Sequence, residues 1–144
     1  MIPQFDEQSV LPPGMYDTSF GEISLRFGGT QQREKLISGL ESYLRIWDES
    51  GFLSSVIIDG SFVTKKLNPG DIDMILAPKA EALFSLEFNA LMRSFSLNRS
   101  FTKREFGCEA FIAATEEELK GWIEFFRHDR LGRVKGLLRI GFPL

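Results

Sequence analysis

Val56-Ile-Ile-Asp-Gly-Ser61, a nine-residue connection, and then Asp71-Ile-Asp-Met-Ile-Leu-Ala77 decide how this chain is read. Both apolar runs are short and rich in β-branched residues, which predicts strands over 55–59 and 71–77 with a loop between them. Side chains alternate along a strand, so Asp71 and Asp73 project from one face while Ile72 and Met74 point to the other. Two carboxylates held side by side repel, and a hard divalent cation is the usual reason to keep them so. Asn68-Pro69-Gly70-Asp71 is turn chemistry that delivers Asp71 sharply to the strand start. Gly60 lets the backbone come close to a ligand, and Ser61 adds a hydroxyl and a backbone N–H where a phosphate would sit. Lys65 and Lys66 lie on the same connection, either as a source of positive charge or as plain surface lysines. The loop has no second glycine ahead of its lysines, so it is not a Walker loop, and no G-x-G-x-x-G occurs.

Working outward, Leu36, Leu40, Tyr43, Leu44 and Trp47 recur at helical spacing, with Gly51 just beyond the helix end. Ser19-x-x-Glu22 reads as a capping box for a shorter helix closed by Gly28-Gly29. Residues 1–16, which include Leu11-Pro12-Pro13-Gly14, read as an extended arm ending in a turn. Downstream, Pro78 suits the first turn of a helix striped by Phe84, Phe88, Leu91, Met92 and Phe95. Residues 107–114 follow as a third strand. Thr115-x-x-Glu118 is another capping box, opening a helix on which Leu119, Trp122, Ile123 and Phe126 share a face and which Gly132 ends. Residues 134–140 form a last strand. Interleaved helices and strands predict an α/β or α+β sandwich with a mixed sheet, in one domain over residues 1–144.

Composition narrows the function. Hydrophobic residues make up 43% of the chain, enough for one core, and the 14 Phe are assigned mostly to it. A net charge of −3 argues against non-specific coating of nucleic acid. Charge is uneven, however: residues 1–24 carry acids but no Lys or Arg, whereas residues 127–139 hold Arg127, Arg130, Arg133, Lys135 and Arg139 against Asp129 alone. That basic end faces phosphates or simply solvent. Cys108 stands alone, which excludes an intramolecular disulfide and a cysteine-based zinc site and reads as a small buried hydrophobe. No leader pattern opens the chain and no apolar run reaches the roughly 18 residues of a membrane span, so a cytoplasmic protein without membrane contact is expected. His128 falls at a predicted helix C-terminus, where a cationic ring suits the dipole, and is given no catalytic role.

The Val56–Ser61 stretch followed by Asp71-Ile-Asp73 resembles the signature of the nucleotidyltransferase superfamily, the group of DNA polymerase beta, poly(A) polymerases and minimal nucleotidyltransferase antitoxins. Over nearly its full length the chain is similar to a family of small bacterial nucleotidyltransferase-like proteins without an assigned activity. That likeness includes Leu11-Pro-Pro-Gly14, Gly60-Ser-Phe-Val-Thr64 with Lys66, Pro69-Gly-Asp71, and Glu124-Phe-Phe126 through Lys135-Gly136. The resemblance implies that Gly60 and Ser61 bind the triphosphate of an NTP while Asp71 and Asp73 coordinate Mg²⁺ or Mn²⁺. It also implies a third carboxylate from a neighbouring strand, and Glu109, an acid within the apolar run 107–112, is the candidate, a plain strand-edge Glu being the other reading. Lys66 and Lys135 are the expected nucleotide-binding cations. The implied function is transfer of an NMP from an NTP to a hydroxyl of a protein, RNA or small molecule. The other function is a non-catalytic module of the same fold, such as an antitoxin or sensor subunit that recognises a partner protein or nucleotide.

Overall fold

In the computed structural model, which describes residues 1–144, the two apolar runs become strands β2 (Leu53–Asp59) and β3 (Ile72–Pro78). They pair antiparallel with Asp59 opposite Asp73. Strands β1 (Met15–Asp17), β4 (Cys108–Ile112) and β5 (Leu137–Gly141) complete a five-stranded sheet of order β1-β5-β2-β3-β4. β2 runs antiparallel to β3 and β5, whereas β1–β5 and β3–β4 are parallel pairs, so the sheet is mixed as expected. The helices are α1 (Phe20–Phe27), α2 (Gln31–Ser50), α3 (Leu86–Met92), α4 (Arg99–Phe106) and α5 (Glu116–Phe126). The result is an α+β architecture.

Strand alternation divides the apolar side chains between two layers. Val56, Ile58, Ile72, Met74, Leu76, Cys108 and Ala110 join Ile23 and Phe27 of α1, the α2 stripe from Leu36 to Trp47, and Phe88 of α3 in a core of 24 buried residues. On the opposite face Ile57, Ile75, Ala113, Phe126 and Leu137 form a cluster of only five, flanked by Leu119, Trp122 and Ile123 of α5. Ser19, Thr30 and Thr115 cap α1, α2 and α5 by accepting the backbone N–H three residues on, at 3.1–3.2 Å. No helix is long and apolar enough to cross a membrane.

Four local expectations are corrected. Pro78 does not open a helix; it ends β3 opposite Leu53. A 3₁₀ turn over Ala80–Phe84 follows, and α3 starts only after its cap Ser85, leaving Phe84 90% exposed rather than on a buried stripe. Helix α5 stops at Phe126, well short of Gly132, which occupies a later turn at φ +79°. The last strand begins at Leu137, with Val134 making only an isolated bridge to His128. β1 and α4 are additions: the end of the N-terminal arm pairs with β5, and residues 99–106 form a helix capped by Asn98.

Candidate metal centre

The β2–β3 loop is held from the N-terminal end of α2. Arg33, 5% exposed, has no carboxylate partner and spends its guanidinium on backbone carbonyls. Nε and Nη2 donate to Lys66 at 3.0 and 2.6 Å, Nη2 also to Thr64 at 2.7 Å, and Nη1 to Phe62 at 2.7 Å and Phe27 at 3.0 Å. Gln32 Nε2 donates to the Pro69 carbonyl and the Thr30 hydroxyl to that of Leu67. Four hydrogen bonds from one planar fork fix the loop, and the fifth ties it to the end of α1. At its start Gly60 has φ +91° and ψ −173°, a region essentially reserved for glycine. A Cβ there would stand 2.7 Å from Asp73 Oδ2, so Gly60 also leaves the Asp73 carboxylate its room. Ser61 then opens a short 3₁₀ turn, its carbonyl accepting from the Thr64 hydroxyl.

Asp71, Asp73 and Glu109 meet on the sheet face covered by α5. Asp73 lies beside Glu109 in the parallel β3–β4 register. Each of the three offers a carboxylate oxygen, and those oxygens all lie within 4.8 Å of one another. Glu109 therefore shares the face of the aspartates. Burial, then the charges of Asp71, Glu109 and Asp59, push the Asp73 carboxyl up to about 7, with Lys135 opposing. Two cations from α4 face the cluster: Lys103 Nζ is 3.2 Å from Asp71 Oδ2, and Arg99 Nη1 is 3.6 Å from Glu109 Oε1. The hydrogen bond to Asp71 is also what raises the Lys103 pKa most. Asp73 makes no ion pair. Three half-buried carboxylates form an all-oxygen donor set suited to a hard divalent cation such as Mg²⁺ or Mn²⁺.

Behind them lies a deeper pair. Asp59 is 2% exposed and Lys135 8%, with Lys135 Nζ 3.0 Å from Asp59 Oδ1. Burial raises the Asp59 pKa and the Lys135 charge opposes it. A cavity of about 860 Å³ opens in front, with Asp59, Gly60, Ser61, Lys66, Asp71 and Asp73 on one wall. Residues from the end of α5 and the 127–135 segment make the other, among them Phe125, Arg130, Leu131, Arg133 and Lys135. The structure thus brings Gly60, Ser61, Lys66, Lys135, Asp71 and Asp73 to one cavity, but Lys135 arrives engaged with Asp59. Arg133 is likewise engaged with Asp129 at 2.6 Å, and Arg139 with Asp17 of β1 at 2.6 Å. Arg130 is exposed and makes no ion pair. His128 Nδ1 sits 2.9 Å from the Glu124 carbonyl at the end of α5, and Cys108 is fully buried with its thiol pKa pushed up by burial.

Sequence reasoning passed over Asp59, Arg33, Arg99 and Lys103. Asp59 had a legible signal, an acid ending an apolar strand next to a glycine. Arg99 and Lys103 are one helical turn apart behind a capping Asn98, a weaker signal but readable. Arg33 had none, because its partners are carbonyls, which every residue carries.

A family model described as a family of unknown function, DUF6932, matches residues 3–141, and the chain belongs to that family. No curated protein and no solved structure matches the chain.

Proposed function

We propose that this DUF6932 member is a metal-dependent nucleotidyltransferase that moves an NMP from an NTP to a hydroxyl of a protein, RNA or small molecule. One observation carries the proposal: Asp71, Asp73 and Glu109 bring carboxylate oxygens within 4.8 Å of one another, and the two aspartates line the same cavity as the Gly60-Ser61 turn. The donor set fits Mg²⁺ or Mn²⁺, with these three residues as protein ligands. When bound, such ions neutralise triphosphate charge and lower the pKa of the attacking hydroxyl.

The chain's own residues do the rest. Gly60 takes the glycine-only conformation that leaves the Asp73 carboxylate its room and turns the chain at Ser61, which donates its N–H and hydroxyl to a phosphate. Arg33 keeps that loop in place beforehand, so less ordering is required when ligand arrives. Lys66 and Arg130 supply mobile positive charge from opposite walls. Lys135 contributes from behind, by neutralising Asp59 and tying the 127–135 wall to the end of β2. Lys103 and Arg99 balance the carboxylates in the ion-free chain. The unpaired, buried Cys108 suits a reducing, nucleotide-rich compartment, and the cytoplasm is the proposed location.

The same two ion pairs favour a second function, a non-catalytic module that recognises a nucleotide or a partner protein, since they satisfy Asp71 and Glu109 without metal. Incubation of the purified protein with each labelled NTP, Mg²⁺ or Mn²⁺ and cell extract separates the two. Transfer of label to RNA, protein or a small molecule, lost in Asp71→Asn/Asp73→Asn, is the expected result. Metal-dependent nucleotide binding without transfer supports the module instead. Neither binding nor transfer overturns both.

A further inference from the structure

Phe125 breaks the pattern of its helix. On α5 the residues that pack toward the sheet are Leu119, Trp122, Ile123 and Phe126. Phe125 lies off that stripe and is 67% exposed, yet its ring is not loose. It stands nearly perpendicular to both of its aromatic neighbours, at 86° to Phe126 with centroids 5.1 Å apart and at 84° to Trp122 with centroids 6.2 Å apart. Packing therefore orients the ring while most of its surface stays open. Leu131, 79% exposed, comes from the following turn, and both side chains line the cavity that holds Asp71 and Asp73. The rest of that cavity is dominated by charged and polar groups. Phe125 and Leu131 thus stand as exposed apolar surface among Arg130, Arg133 and His128, across from the aspartates, Lys66 and the Gly60-Ser61 turn.

A ligand with phosphates at one end, held by metal on the aspartates and by the Ser61 and Lys66 donors, and a flat apolar group at the other matches this lining, within a cavity of about 860 Å³, a usual size for a complete small-molecule site. We infer that Phe125 and Leu131 form the nucleobase subsite of the cavity, the base stacking on the Phe125 ring while the phosphates of the same nucleotide lie toward Gly60, Ser61 and the carboxylates. This rests on the proposed nucleotide-binding function but assigns a subsite which that proposal leaves open. A π-face is common to all four bases, so stacking provides affinity with little base preference. Phe125 is a binding residue; it is far along the ligand from any reacting phosphorus and takes no part in transfer.

The test is calorimetric titration of the full chain, in Mn²⁺, with each of ATP, GTP, CTP and UTP and, separately, with inorganic tripolyphosphate. The wild type should bind all four nucleotides more tightly than tripolyphosphate. Phe125→Ala should weaken the nucleotides by about tenfold and leave tripolyphosphate unchanged, as loss of one stacking contact predicts. Phe125→Trp, which keeps a flat ring, should retain nucleotide affinity. Thermal melts of both variants report whether α5 stays folded; the ring is mostly exposed, so they should match the wild type. Equal wild-type affinity for nucleotides and tripolyphosphate, or a Phe125→Ala loss shared equally by both, overturns the base subsite while leaving the metal–phosphate site standing. Binding of neither overturns the nucleotide function and the subsite together.

Discussion

Replacing Asp73 by Asn should make the metal-free protein more stable, and only above acid pH. A carboxyl that titrates near 7 in the folded chain, against an ordinary 3.8, opposes folding by about 4 kcal/mol once both states are ionised. Asp73 is half-buried, and screening by the water it still meets brings this to about 2–3 kcal/mol. Between the two pKa values the folded chain binds more protons than the unfolded one, so wild-type stability falls as pH rises through that window and levels off above it. Asn has nearly the same shape and no charge. Asp73→Asn should therefore match the wild type near pH 4 and exceed it at about pH 8 by that amount, a Tm rise of about 6–9 °C for a chain of this size. Excess Mn²⁺ should reverse the order by stabilising only the protein that can bind it. Thermal melts across pH, in chelator and in Mn²⁺, supply the measurement. A variant no more stable than the wild type at the higher pH, or a gap that does not change with pH, would refute the reasoning.

Three further outcomes follow from neighbouring residues. Gly60→Ala places a Cβ where only glycine's backbone is at ease and 2.7 Å from Asp73 Oδ2; it should cost about 1–3 kcal/mol in denaturant melts and blunt the Mn²⁺ response as well. Lys135→Met strands Asp59 as a buried unpaired charge and should cost about 3–5 kcal/mol, while adding Asp59→Leu to it should recover most of that loss in the same melts. Arg33→Lys should fail to restore what Arg33→Met loses in nucleotide affinity, because one ammonium cannot reach the Phe27, Phe62, Thr64 and Lys66 carbonyls together; titration of each variant with Mn-ATP checks it.

The parts of this fold that were legible in sequence are those where one physical signal acts locally. The α2 stripe, the two strands around the loop and the threonine and serine caps each follow from spacing or capping chemistry within a few residues, and all were found where expected. Asp71 and Asp73 share a face because alternation is a property of the strand itself. Elements fixed by distant partners were not legible. β1 is three residues long and exists because β5 pairs with it; α4 buries little beyond Thr102, so it lacks an apolar period to read. Pro78 looked like a helix start because its fixed φ serves either a first helical turn or a strand end, and pairing with Leu53 decided for the strand. The basic C-terminal stretch shows its charge in sequence but not its partners. Asp59, Asp129 and Asp17 engage Lys135, Arg133 and Arg139, so that of this stretch's arginines and lysine on the cavity Arg130 alone makes no ion pair.

The unequal burial on the two sides of the sheet sets how the molecule breathes. Amide protons of β2, β3 and α2 are sealed by the 24-residue core, whereas α5 rests on a cluster of five. Hydrogen exchange should accordingly be slowest in β2 and in β3, which carries Asp73, and faster in α5 and residues 127–134, through openings that leave the sheet and the Asp59–Lys135 pair in place. The part of the cavity wall that carries Phe125, Arg130 and Leu131 would then open while the sheet bearing Asp73 and Glu109 stays folded, giving a ligand a way in and out that never dismantles the cluster it is bound for.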